Sequence, residues 1–89
     1  MEIEVRKDEE KNRFVLTVDG TTAGFAGFVD REGTRKFDHT VIEEQFQGQG
    51  LSKPLIQQAL DYTKDEGLPY IATCSAVQHF IEKNPEYKS

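Results

Sequence analysis

Through the first half of the chain, apolar residues alternate with charged or polar ones; in the second half the spacing lengthens to that of a helix. Ile3 and Val5 alternate with Glu2, Glu4 and Arg6, which predicts a short half-buried strand over residues 2–6. Residues 8–12 form a polar turn. Phe14, Leu16 and Val18 then alternate with Arg13, Val15 and Thr17 in a second strand, and Asp19-Gly20 is a hairpin signal. A third strand over residues 22–30 puts Ala23, Phe25, Gly27 and Val29 on one face. After a turn at residues 31–34, a fourth strand spans residues 35–42. Strict alternation there sets Phe37, His39 and Val41 on one face and Asp38, Thr40 and Ile42 on the other. So far the pattern is an antiparallel meander.

Leu51, Leu55, Ala59 and Tyr62, flanked by Ile56 and Leu60, recur at helical spacing, while Lys53, Gln57, Asp61 and Lys64 face away. Pro54 falls in or just after the first turn, where a missing N–H costs little. Gly67 and Pro69 mark the helix end. Residues 70–74 are short and apolar, as in a buried strand. Returning after a helix, this strand would lie parallel to the fourth through a right-handed crossover. Ser75 to Gln78 is a capping-box pattern with Ser75 as N-cap, opening a second helix with Val77, Phe80 and Ile81 inward. Asn84-Pro85 stops it, and residues 86–89 form a tail from which Tyr87 can pack back. The predicted class is α+β, a compact fold in the order β-β-β-β-α-β-α, its mostly antiparallel sheet carrying one β-α-β unit.

The 89 residues suit one small domain, near the lower end of what builds a core without staples. The single cysteine excludes an intramolecular disulfide, and no Cys/His spacing for a metal exists. A lone thiol and a charged, alternating N-terminus point to a cytoplasmic protein rather than a secreted one. No apolar run approaches the roughly 20 residues of a membrane span. The net charge of -5 argues against nonspecific nucleic-acid binding. It suits a basic substrate or partner, although solubility alone explains it equally well.

Gln45-Phe46-Gln47-Gly48-Gln49-Gly50-Leu51 stands between the fourth strand and the first helix. Glycine lets the backbone take crowded conformations, and the first turn of a helix leaves N–H groups unpaired where the dipole favours negative charge. Together these make a backbone cradle for phosphate or pyrophosphate. An ordinary strand-to-helix turn uses the same residues. The loop lies at the carboxyl end of a strand, where open α/β sheets usually place ligands.

Gln45-x-x-Gly48-x-Gly50, following a strand and opening a helix, resembles the acyl-CoA signature of the GNAT (GCN5-related) N-acetyltransferase superfamily. Asp38-His39-Thr40 before the loop, Cys74-Ser75 after the next strand, and His79 with Glu82-Lys83 narrow the resemblance to the minimal single-domain GNAT-like proteins. It covers residues 2 to 87 and implies acetyl-CoA or coenzyme A as ligand. The pyrophosphate would sit on the amides of Gln47, Gly48, Gln49, Gly50, Leu51 and Ser52. Pantetheine would run beside Val41 and Ile42, where the fourth and fifth strands splay apart. Larger members often carry Arg where this chain has Gln47, which implies weaker cofactor binding here.

Acetyl transfer to an amine needs a base for the amine proton and donors for the developing oxyanion. His39 is the first candidate base, since imidazole titrates near neutrality; the same placement describes a core histidine bonded to backbone. Cys74 precedes a helix N-terminus, which stabilises thiolate. The resemblance implies that it takes the acetyl group covalently, with His39 or His79 as its base, in a ping-pong route. A small buried hydrophobe is the alternative. Ser75 reads as a cap, His79 as a rim residue and Tyr87 as a packing residue. The predicted function is acetyl-CoA-dependent N-acetylation of an amine-bearing small molecule or protein. A non-catalytic CoA-binding module or a protein-interaction domain are its rivals. A monomer or a weak dimer through an exposed sheet edge is expected.

Overall fold

A computed structural model describes residues 2–88. Four strands, β1 (Ile3–Asp8), β2 (Arg13–Val18), β3 (Thr21–Arg31) and β4 (Thr34–Ile42), run as antiparallel neighbours. Helix α1 (Ser52–Asp65) leads to β5 (Tyr70–Ala72), which pairs parallel to β4 at the sheet edge. Helix α2 (Ser75–Lys83) follows, and short 3-10 turns occupy Glu44–Phe46 and Pro85–Tyr87. The α+β class and the element order are those the periodicities predict. Asp19 and Gly20 both take positive φ, +49° and +84°, as do Glu32 and Gly33 at +52° and +79°. Such primed turns match the twist of the strands they join.

Both helices pack into one core with the sheet: Phe14, Leu16, Phe28 and Phe37 meet Leu51, Leu55, Leu60, Val77 and Phe80. Among the described residues, the other sheet face has no helix against it and exposes Val29, Val41 and Ile71. Ile71 is 53% exposed, so β5 is an edge strand with one buried face rather than a fully buried one. Tyr87 does pack back, its ring 5.2 Å from that of Phe80 and its carbonyl accepting from the Tyr70 hydroxyl. Ser89, the end of the predicted tail, lies outside the described residues.

Two bulges break the expected alternation. Leu16 faces Gly24 but Thr17 faces Thr22, which leaves Ala23 as the extra residue of β3. Ala23 is therefore buried with Ala26 and Phe28, while Phe25, Gly27 and Val29 share the helix-free face. Likewise Phe28 faces Phe37 and Gly27 faces His39, which leaves Asp38 unpaired in β4. An inserted residue shifts the two-residue period by one. Phe37 is consequently core, whereas His39 and Val41 turn to the opposite face. The prediction that Phe37, His39 and Val41 share a face is corrected.

Arg35 is 1% exposed, the largest fully buried side chain. Its guanidinium pairs with Asp30 (2.7 Å) and Glu66 (2.6 Å), donates to Thr63 Oγ1 (3.2 Å) and stacks 4.2 Å from the Phe28 ring. Lys7 also reaches Glu66, at 2.9 Å. The cluster ties β1, the β3–β4 hairpin and the end of α1 together. Periodicity gave no warning of it, because a charged residue on the inward register is satisfied only by partners distant in sequence.

Candidate acetyl-transfer site

Pairing between β4 and β5 stops at Phe37 and Ala72. The carbonyl of Phe37 accepts from both Thr73 N (2.9 Å) and Cys74 N (3.2 Å), and the chain then turns away into α2. From Asp38 to Ile42, β4 has β3 on one side and, among the described residues, no strand on the other. In an antiparallel ladder alternate residues turn their main-chain groups to opposite neighbours. Ile42 is turned to the open side, because its carbonyl accepts from the Gln47 side-chain amide at 3.1 Å. Gln47 thus takes a main-chain acceptor of the gap instead of aiming at the loop.

Beyond it Gly48 and Gly50 hold φ of +82° and +70°, left-handed values that glycine takes without strain. Gln47 N is already spent on Glu44 O at 3.2 Å, so it is not part of the predicted amide set. Among the described residues, the amides of residues 48–53 donate to no main-chain carbonyl. Leu51, 3% exposed, anchors the loop in the core, and Ser52 begins α1. Free main-chain donors next to a helix N-terminus are the kind of surface that favours an anion.

Cys74 is the N-cap of α2, and Ser75 is the first helical residue; the predicted capping box does not form. Gln78 donates instead to Ala72 O (2.9 Å), closing the end of β5. The Cys74 sulfur lies on the helix side of β4, 3.5 Å from Thr40 Oγ1. Burial pushes its pKa up, but the Thr40 hydroxyl and the amides of Val77 and Ala76 outweigh that, and the net direction is down. No close cap bond forms, yet these amides favour the thiolate.

His39 sits on the other face. The bulge turns the consecutive side chains of Asp38 and His39 to one side, and His39 Nδ1 lies 2.8 Å from Asp38 Oδ1. That oxygen is buried and has no aligned hydrogen-bond donor. The imidazole is 57% exposed, lies over Gly27 and meets Phe25 edge-on at 5.5 Å. A Cβ on Gly27 would stand 2.6 Å from His39 Cε1, so glycine makes the seat for this ring. His39 is therefore not the core histidine of the alternative reading. The structure does not bring His39 and Cys74 together; β4 separates them. His79, on α2, forms no hydrogen bond or ion pair with Cys74 among the described residues.

Gly27, Asp38 and Thr40 are site residues that sequence reasoning left without roles. A glycine inside a strand does flag close approach of another group, and Gly27 carries that signal. Among the described residues, no group of three or more His, Cys, Asp and Glu side chains is placed to hold a metal. No helix among them is long and apolar enough to cross a membrane.

A family model described as GCN5-related N-acetyl-transferase matches residues 13–89. The chain belongs to this family. Protein NATD1 of Gallus gallus is 28% identical over 85 residues, which cover 93% of this chain and 77% of the relative. Protein NATD1 of Bos taurus is 29% identical over the same share of this chain and 75% of its own. A GCN5-like protein from Staphylococcus aureus, solved by NMR, superposes with a TM-score of 0.68 at 24% identity, covering 94% of this chain and 82% of that one. The ribosomal-protein-alanine N-acetyltransferase of Brucella melitensis gives 0.63 at 20% identity, over 80% of this chain and 60% of that one. These two likenesses establish the GNAT fold. Membership assigns the chain to a family of acetyltransferases.

Proposed function

We propose that this protein transfers the acetyl group of acetyl-CoA to an amine, directly, with His39 as the general base. The observation that carries the reading is the open edge of β4 from Asp38 to Ile42 beside unpaired loop amides. Pantetheine, as an extended chain with its own amides, pairs with a free strand edge. The loop amides of residues 48–53 hold the pyrophosphate. Gln47 releases the Ile42 carbonyl as the ligand arrives.

His39 accepts the proton of the attacking amine at Nε2, while Asp38, with Oδ1 2.8 Å from Nδ1, steadies the positive charge that forms. The amine nitrogen bonds to the thioester carbon, the carbon–sulfur bond breaks, and CoA leaves as thiolate. A second route is favoured by the lowered pKa of Cys74: its thiolate takes the acetyl group first and passes it to the amine. Intact mass after incubation with acetyl-CoA separates the two. Acetyl on Cys74 supports the covalent route; an unmodified protein that turns over supports direct transfer. Binding without turnover on any amine leaves a CoA-binding module.

Valine at Gly48 tests the loop. Positive φ makes the substitution strained, although a side chain there would meet nothing within 4 Å. The fold is expected to survive with a loss of about 1–2 kcal/mol, and acetyl-CoA affinity to fall by at least about tenfold, the scale of losing a charge-assisted bond. Unchanged affinity by calorimetry would sink the loop assignment. Alanine at Gly27 tests the histidine seat. The imidazole is the far end of a flexible side chain, so it yields at a stability cost within about 1 kcal/mol. Displacement of the base is expected to lower kcat by about tenfold or more and leave KM for acetyl-CoA unmoved. A fall in KM-linked binding alone would refute the positioning role.

A further inference from the structure

On the helix-free face of the sheet, Arg13, Gly27 and His39 stand in one row across β2, β3 and β4. Both basic side chains flank the Phe25 ring, with the guanidinium carbon of Arg13 4.6 Å from its centroid and the imidazole of His39 5.5 Å away. Arg13 is half-buried, and its Nε is buried with no hydrogen-bond partner. Asp8, opposite Arg13 in the register, accepts instead from Lys11 N at 3.3 Å. Among the described residues Arg13 forms no ion pair, in a chain with 16 acids. A guanidinium drawn partly out of water carries a cost that a bound anion would offset.

Arg13 lines a cavity of about 290 Å³, floored by Val15, Gly24 and Phe25 and closed by Glu43. Glu43 continues the alternation of His39 and Val41 along β4, its amide still donating to Ala23 O at 2.7 Å. Its carboxylate is likewise without an ion pair among the described residues. A cation and an anion thus share one cavity without meeting. A phosphate would gain Arg13 but be repelled by Glu43, whereas a carboxylate and an ammonium on one carbon satisfy both.

We infer that this cavity holds the head group of a free amino acid whose side chain ends in the reacting amine. Arg13 reads the carboxylate and Glu43 the α-ammonium. The aliphatic stem runs over Val41, 39% exposed, and delivers the terminal amine to His39 Nε2. Four residues of extended strand separate Glu43 from His39, about 13 Å, which a four-carbon stem with a hydrogen bond at each end covers. The inference rests on the direct-transfer reading above and names its acceptor class: a diamino acid such as lysine, a cation suited to a chain of net charge -5. The neutral terminal amine attacks the thioester carbon, its proton passes to His39, the carbon–sulfur bond breaks, and CoA leaves as thiolate.

Acetyl-CoA consumption with lysine, cadaverine (which lacks the carboxylate) and ε-aminocaproate (which lacks the α-ammonium) decides the matter. Shifts of the Arg13 side-chain and Phe25 ring protons are read with the same three probes. The wild type is expected to favour lysine over each analogue by about tenfold in kcat/KM, the scale of one hydrogen bond to a charged group. Arg13→Gln is expected to bring the ratio of lysine to cadaverine to about one while the ratio to ε-aminocaproate persists; Glu43→Gln should do the reverse. Arg13→Lys, which keeps the charge, should retain part of the carboxylate preference. Equal rates of the wild type on lysine and either analogue overturn the inference and leave acetyl transfer standing. If none of the three is acetylated, shifts by lysine and ε-aminocaproate but not by cadaverine would support the carboxylate site and overturn the transfer reading alone. Absence of those shifts overturns the site as well. Faster acetylation of a blocked lysine peptide, which has neither head-group charge, would make the acceptor a protein and refute the proposal.

Discussion

Glutamine in place of His39 is expected to lower kcat by about 10²- to 10³-fold, within the usual range for a lost general base, with acetyl-CoA affinity and fold intact. His39 is exposed on a face no helix covers, and its ring rests on a glycine and the edge of Phe25, so little packing is lost. Gln keeps a polar side chain there but cannot accept the amine proton. Asp38→Asn is expected to give a smaller fall, since the imidazole remains while its charged partner is gone. Steady-state kinetics with one amine acceptor, beside Cys74→Ala, reads the mechanism. If Cys74→Ala abolishes turnover and His39→Gln does not, direct transfer is wrong and the covalent route takes its place.

Alanine in place of Arg35 is expected to cost about 3 kcal/mol, the lower end of what breaking a buried ion pair costs. The lower end applies because Asp30 and Glu66 are 48% and 30% exposed and regain water when the guanidinium is removed. A cavity under Phe28 and Phe14 adds to the loss. For a domain of this size the melting temperature should fall by roughly 12–24 °C. Arg35→Met, which keeps much of the volume, should recover part of it. A melting temperature within about 2 °C of wild type would show that the cluster is not a staple.

Acid adds a second reading of the same cluster. The hydrogen bond from Arg35, opposed by burial, lowers the pKa of Asp30. Burial raises that of Glu66, but Lys7 and Arg35 outweigh it and the net direction is also down. Carboxylates depressed in the folded state contribute stability above their unfolded pKa, and lose it as pH falls through the folded one. Denaturation midpoints of the wild type should therefore drop below about pH 4 more steeply than those of Arg35→Ala.

Much of this was legible beforehand. Primed turns at Asp19-Gly20 and Glu32-Gly33, the helix beginning after Gly50 and ending near Gly67, and the strand returning parallel to the fourth are all local or periodic signals. The glycine loop was legible for the same reason: positive φ at Gly48 and Gly50 is a property of a few consecutive residues. Which face each site residue occupies was not. Alternation set His39 with Phe37 and next to the core, and one extra residue at Asp38 reversed it. Nothing in residues 35–42 alone marks a bulge, since its cause is the register with β3. The capping box failed similarly: Ser75 and Gln78 have the right spacing, but Gln78 found the open carbonyl of Ala72 across the β5–α2 turn.

By itself, then, the order of residues determined the elements and the glycine loop before the first helix, because periodicity, turn preference and backbone freedom act over a handful of neighbours; its motifs carried the resemblance to the family. Only the tertiary structure decided that Asp38 and His39 share a face, that Cys74 meets Thr40 rather than a histidine, and that Gly27 seats the imidazole. It alone decided that Arg35 is buried among acids from β3 and α1, and that Arg13 and Glu43 line one cavity on the face of His39. These are contacts between residues far apart in the chain. Strand register and helix packing set them, and both follow from how the whole core closes.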